Sequence, residues 1–315
     1  MRILVAGATG AIGRQLVPEL AARGHTVVGL TRAAKRAEEV RALGAEPVTG
    51  DVLDRDGVLR AVEKARPEVV IHQATSLPPR LNPRRIRQDL AATNRLRSEG
   101  TRNLMRAARE CGAGRVIAQS IAFAYAPDGD TPATEEEPLF FDAPGGFDEA
   151  VEALAALEDA VLHEPEIEGI VLRYGYLYGP GTAYGPGGWV VQDVRARKFP
   201  TIGSGAGQFS FVHVDDVATA TAEAVERGEP GIYNVVDDEP ARVIEWLPLL
   251  AELLGAPRPM RVPSLIGRLA AGPFGVHMMT RQRGASNEKA KAGLIWTLRY
   301  STWREGLAAD LVEQR

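Results

Sequence analysis

Short apolar runs and helical periodicity alternate along the first half of the chain. Ile3–Ala6 is a run of four apolar residues, long enough for a buried parallel strand and too short for a helix. From Ile12 the apolar residues Leu16, Leu20 and Ala21 recur on one helical face, Gly24 stands where a C-terminal cap belongs, and Thr26–Leu30 is a second β-branched run. Glu46–Gly50, Val69–Gln73, Arg115–Ser120 and Ile170–Tyr174 repeat the strand pattern. Helices are predicted between them: Ala33–Leu43, Asp54 to Ala65, a long one ending near Gly112 after the Pro- and Arg-rich loop Leu77–Arg87, and Phe147–Leu162. Strands alternating with helices of this length predict an α/β fold with a parallel sheet.

The second half is less regular. A Gly- and Pro-rich stretch, 179–188, leaves the repeating pattern, and a helix over Val217–Glu226 is expected to be capped by the aspartate before it. Gly231–Val235 reads as a further strand, followed by helices at Val243–Leu254 and Ser264–Ala271 and near the C-terminus. Pro18 and Pro248 fall inside helical patterns, where an interior proline costs about 3 kcal/mol.

The first strand runs directly into Gly7-Ala8-Thr9-Gly10-Ala11-Ile12-Gly13. Glycine lets a backbone turn sharply and approach a pyrophosphate, while the free N–H groups and positive dipole end of the following helix hold the anion. A strand, glycine turn, helix and strand form the unit that binds a dinucleotide. The expectation is a Rossmann-type doubly wound parallel sheet over residues 1–175, rejoined by about 212–230, with a smaller C-terminal substrate lobe from 176–211 and 231–315.

Charge and composition trim the options. A net charge of −4 over 315 residues leaves no electrostatic footprint for nucleic acid. One cysteine, Cys111, excludes an internal disulfide, and no Cys–His cluster suggests a metal. The N-terminal strand leaves no room for a signal peptide and no apolar run reaches membrane-spanning length, so a cytoplasmic protein without membrane partners is expected. At the end of the second strand, where an acidic residue usually meets the adenosine ribose, Arg32, Lys35 and Arg36 cluster instead. Cations there suit a 2′-phosphate, so the expected cofactor is NADP rather than NAD.

The spacing of glycines 7, 10 and 13 resembles the short-chain dehydrogenase/reductase superfamily, in the extended form that includes nucleotide-sugar epimerases and dehydratases. Arg173-Tyr174-Gly175-Tyr176-Leu177-Tyr178-Gly179-Pro180 is similar to that family's R-x-x-N-x-Y-G-P, and Phe209–Ala218 resembles its return segment. The resemblance, with the phosphate argument, assigns cofactor contacts to Gly7, Thr9, Gly10, Ala11, Ile12, Gly13, Arg32, Arg36, Asp51, Val52, Gln73, Ala74, Thr75, Ser120 and Tyr174. It implies a small-molecule substrate and allows a homodimer through helices near 84–111 and 147–163.

Extended members exchange a proton through Tyr-x-x-x-Lys on the helix after the fifth strand, with a Ser or Thr hydroxyl beside the substrate oxygen. Between 126 and 170 this chain has no tyrosine and no lysine; matching Glu158 to the glutamate that often follows that lysine puts Ala150 and Leu154 at the two positions. Substitute proton donors are Ser120, Tyr125 and Tyr176, with Tyr178 and His213 nearby in the pattern, whereas His72 reads as a core histidine. Two functions stay open: an NADP-dependent oxidoreductase or epimerase/dehydratase-like enzyme with a non-standard proton donor, and a non-catalytic NADP-binding regulator.

Overall fold

The computed structural model describes residues 1–129 and 132–312. Its strands are β1 (Arg2–Ala6), β2 (Thr26–Thr31), β3 (Glu46–Thr49), β4 (Val69–His72), β5 (Arg115–Ile121), β6 (Glu168–Tyr174), β7 (Tyr176–Tyr178), β8 (Thr201–Ile202), β9 (Gln208–Phe209), β10 (Phe211–His213), β11 (Gly231–Val235), β12 (Ala241–Arg242) and β13 (Arg261–Val262). The helices are α1 (Ala11–Ala22), α2 (Ala37–Ala42), α3 (Arg55–Ala65), α4 (Ile86–Arg95), α5 (Thr101–Glu110), α6 (Asp148–Leu162), α7 (Trp189–Arg195), α8 (Val214–Glu226), α9 (Val243–Leu253), α10 (Ser264–Thr280), α11 (Glu288–Gly293) and α12 (Trp303–Val312).

Seven strands form one sheet in the order β3-β2-β1-β4-β5-β6-β11, every neighbouring pair parallel. Side chains alternate across it. Ile3 and Val5 pack with α1, Val40 of α2, and α8; Leu4 and Ala6 pack with α3, α5 and Leu157 of α6. Both faces are covered, which is why the strands read as unbroken apolar runs. The order reverses between β1 and β4, and the carboxyl ends of those strands open the crevice that such sheets use for ligands.

Helices α7, α9 and α12, with the end of α10, surround a separate aromatic core of Tyr178, Phe209, Phe211, Trp246 and Trp303. Short strand pairs β7–β10, β9–β12 and β8–β13 frame it.

Five expectations change. Gly231–Val235 belongs to the central sheet, paired in register with Ile170–Tyr174, and not to the second lobe. The helix expected over Ala33–Leu43 begins as a tight turn at Ala34–Arg36 and becomes α-helical only at Ala37. The long helix is two, α4 and α5, joined by a π turn at Leu96–Gly100. Helix α8 starts at Val214 with His213 as its cap, the imidazole Nδ1 accepting from the Asp215 N–H at 3.1 Å; Asp216 instead accepts from the Arg299 and Tyr300 N–H groups at 2.6 and 3.2 Å. Helix α10 continues past Ala271 to Thr280 across a kink at Gly272 (φ 71°). Pro18 and Pro248 are tolerated inside α1 and α9, where the residues whose carbonyls lose a partner, Arg14 and Ile244, are themselves exposed.

Candidate functional site

The site is built outward from the β1–α1 turn. Gly7 takes φ +97°, a conformation open to glycine, and the Gly10 N–H closes the turn onto the Gly7 carbonyl at 3.0 Å. A Cβ on Gly13 would stand 2.4 Å from the Gly7 oxygen, so this glycine lets α1 press against the turn. Gly10 caps α1 without a side-chain partner, leaving the first N–H groups of the helix available to an anion.

A cleft of 480 Å³ lies over this turn. Gly7, Thr9 and Gly10 line it from the turn, Arg32 and Arg36 from the end of β2, Val52 from beyond β3, and Gln73, Ala74 and Thr75 from beyond β4. Ala11, Ile12 and Gly13 lie in the first turn of α1, outside the lining. Asp51 is also outside it; its Oδ1 accepts from the Leu53 N–H at 3.0 Å. Tyr174 is buried beneath, taking a hydrogen bond from Gln73 Nε2 at 2.7 Å and sharing one with Thr221 Oγ1 at 2.8 Å. Leu30, Thr31, Ala33, Gly50 and Leu96 join the lining unforeseen, because a small or apolar residue at a strand end carries no chemical signal in sequence.

The basic rim is sparsely neutralised. Arg32, Lys35 and Arg36 are exposed at the cleft, and among the described residues none forms an ion pair with a carboxylate. Arg36 Nη1 reaches Thr9 Oγ1 at 3.2 Å, which ties the rim to the glycine turn.

At the carboxyl ends of β5 and β6 the three proposed donors are all engaged. Ser120 Oγ donates to Glu158 Oε1 at 2.7 Å. Glu158 in turn receives Arg173 Nε at 2.9 Å and Nη2 at 2.6 Å, and Arg173 Nη1 donates to the Tyr125 hydroxyl at 2.8 Å. The Tyr125 hydroxyl donates in turn to Asn234 Oδ1 at 2.7 Å. Burial pushes the Tyr125 phenol up to about 12 despite the neighbouring guanidinium. Tyr176 is sandwiched between Phe123 and Phe209, both at 4.2 Å between ring centroids, and donates to Gln282 Oε1 at 2.6 Å. Burial raises its phenol well above the ordinary tyrosine value.

Ala150 and Leu154 are fully buried on α6 among Ile121, Phe147 and Phe274. They present only alkyl groups. His72 is buried at the end of β4, and desolvation holds its imidazole down to about 4, so it is neutral. Tyr178 and His213 are buried as well, the first in the aromatic core and the second at the start of α8.

Comparison with known proteins follows the same lines. The model of the NAD dependent epimerase/dehydratase family matches residues 3–235. A 3-diazoavenalumate denitrifying reductase from Streptomyces sp is 47% identical over 98% of this chain and 100% of its own length. A dTDP-4-dehydro-6-deoxy-D-allose reductase from Streptomyces bikiniensis is 26% identical over 89% of this chain and 88% of its own. The structure of Thermus thermophilus UDP-glucose 4-epimerase in complex with NAD superimposes with a TM-score of 0.74 at 27% identity, covering 99% of this chain and 98% of that one. Among the described residues no helix is long and apolar enough to cross a membrane.

Proposed function

The chain belongs to the NAD dependent epimerase/dehydratase family, and from that premise we propose that it is a nicotinamide-dependent reductase that removes dinitrogen from a diazo compound. The observation that carries this reading is that, among the described residues, the candidate proton donors at the ends of β5 and β6 are all engaged. Ser120, Tyr125 and Tyr176 each donate to an internal acceptor, and positions 150 and 154 are buried alkyl groups. Carbonyl reduction requires a proton on oxygen as well as hydride on carbon. A diazonium does not.

When bound, the cofactor supplies a hydride, and the balance is R–N₂⁺ + NAD(P)H → R–H + N₂ + NAD(P)⁺. On the substrate, the C–N bonding pair leaves with dinitrogen and a C–H bond takes its place. A neutral diazo compound enters this balance after taking one proton from solvent. The protein's task is then to bind, orient and exclude water. The 47% identical relative, named as a denitrifying reductase of a diazo substrate, supports the same chemistry.

The cleft fits a dinucleotide phosphate. Free N–H groups at the start of α1 would hold the pyrophosphate, and Arg32, Lys35 and Arg36 would meet a 2′-phosphate, which favours NADP. Gln73, Ala74 and Thr75 would run beside the nicotinamide ribose. Segments 176–211 and 236–312 would supply the substrate surface.

The test is turnover of a carboxylated benzenediazonium with NADPH and with NADH, followed by loss of the reduced cofactor and release of dinitrogen. With cofactor deuterated at C4, the label is expected on the carbon that lost nitrogen. Tyr125→Phe and Tyr176→Phe should keep kcat within a few-fold. Loss of about 10²-fold in either, the scale of general acid catalysis, would restore a proton-donor mechanism. Oxidation of cofactor by carbonyl compounds but not by the diazonium would overturn the reading.

A further inference from the structure

Arg97 is a buried cation without a counter-charge. It lies in the π turn between α4 and α5, 8% exposed, and among the described residues no carboxylate pairs with it. Its side-chain hydrogen bond is one long contact, Nη1 to Asn94 Oδ1 at 3.4 Å, although a guanidinium carries five N–H donors. Desolvation draws its pKa down to about 10 with no charge partner opposing it. The contrast with Arg173, which meets Glu158 through two hydrogen bonds, is sharp. Buried charges are ordinarily paired, because removing an ion from water is costly.

Position adds a second observation. Leu96, the preceding residue of the same turn, lines the cofactor cleft beside Gln73, Ala74 and Thr75, with Arg97 one residue behind that lining. The charge of Arg97 is felt by His72 at the end of β4, where it reinforces the neutral imidazole. Isolated π turns inside helices recur at functional sites, since the extra residue shifts one side chain out of the helical register. Leu96 packs in one core with Leu157 of α6, the helix that carries Ala150 and Leu154 and no cation on this side.

We propose that Arg97 is the anion receptor of the site, taking a carboxylate or phenolate oxygen of the substrate at the β4 end of the cleft. The assignment uses the cofactor-cleft reading but not the diazo chemistry. Opposite charges attract, so a substrate with one anionic end binds in one direction, its anion toward Arg97. Arg97 is thereby a specificity residue, acting on pose rather than on the proton or hydride.

The experiment measures binding to the full chain saturated with NADP⁺, by calorimetry, so that it needs no turnover. The probes are 4-methoxybenzoate, 4-methoxybenzamide and 4-hydroxybenzamide, the last titrated to its phenolate. The native protein should bind the benzoate or the phenolate at least about tenfold tighter than the neutral amide, in line with a charge-assisted hydrogen bond. Arg97→Met should abolish that ratio and Arg97→Lys should keep part of it, with NADP⁺ affinity unchanged within about twofold. Unliganded Arg97→Met should melt no lower than the native protein, since a thioether replaces an unpaired buried cation. An undiminished ratio in Arg97→Met, no discrimination in the native protein, or a tenfold or greater loss of NADP⁺ affinity each overturns the assignment. Should Arg97→Met fail to fold, the ratio in Arg97→Lys decides. A protein that discriminates the anions yet releases no dinitrogen keeps this assignment and loses the diazo reading.

Discussion

Replacing Glu158 by glutamine isolates the electrostatics under the site. The substitution keeps shape and one acceptor oxygen but deletes the carboxylate that the structure sets against Arg173, which is raised above its ordinary pKa because Glu158 outweighs its burial. The pair is nearly sealed from water, with side chains 4% and 8% exposed. Removing one partner of such a pair leaves a desolvated ion and costs about 3–5 kcal/mol. Surface ion pairs, by comparison, are worth about 0–1 kcal/mol. For a chain of this size the loss corresponds to a fall in Tm of roughly 5–8 °C. Thermal and urea unfolding of Glu158→Gln, followed by circular dichroism, measure it. The informative companion is the double variant Glu158→Gln/Arg173→Met. Replacing both ions removes the stranded charge, and exchanges of this kind are often near neutral, so the double variant should recover most of the loss. Ser120 and Tyr125 each keep an acceptor in it, the introduced amide oxygen at position 158 and the Asn234 side chain, and this limits collateral cost. A loss under about 1 kcal/mol in Glu158→Gln, or a double variant as unstable as the single, would refute the view that a paired charge holds β5, β6 and α6 together here.

Two further outcomes are expected. Arg32→Ala should remove most of the preference for NADPH over NADH in calorimetry, at about 1.5–3 kcal/mol for a lost charge-assisted contact, and equal affinities in the native protein would sink the NADP assignment. Burial holds the Asp237 carboxyl well above the usual aspartate range, with Oδ1 accepting from the Glu239 N–H at 3.3 Å. The native state thus keeps a proton that the unfolded chain releases above about pH 4, so this contribution is present in acid and is lost as pH rises toward the native titration. Asp237→Asn should therefore gain stability relative to the native protein between about pH 4 and pH 8, and a gap in Tm that stays constant or narrows would count against it.

The sequence by itself determined what is local. An apolar run four residues long, three glycines at fixed spacing and an amphipathic stretch specify strand, turn and helix within about twenty residues, because sterics and periodicity act between near neighbours. That was enough for the parallel sheet, the cleft over Gly7–Gly10 and the basic rim at Arg32 and Arg36. It was also enough to show that no tyrosine or lysine stands between 126 and 170. What only the tertiary structure decided is who meets whom. Periodicity reports that a residue is buried, not against what, and the partner depends on which strands become neighbours. Thus Gly231–Val235 reads in sequence as a stray strand; pairing with β6 puts Asn234 where it closes the chain from Ser120 through Glu158, Arg173 and Tyr125. The cap of α8 passed from aspartate to His213 because Asp216 is taken by the Arg299 and Tyr300 backbone, a segment distant in sequence. Arg97 is the clearest case. Arginine is ordinarily exposed; only folding buries this one, and only the positions of the other side chains leave it without a carboxylate among the described residues.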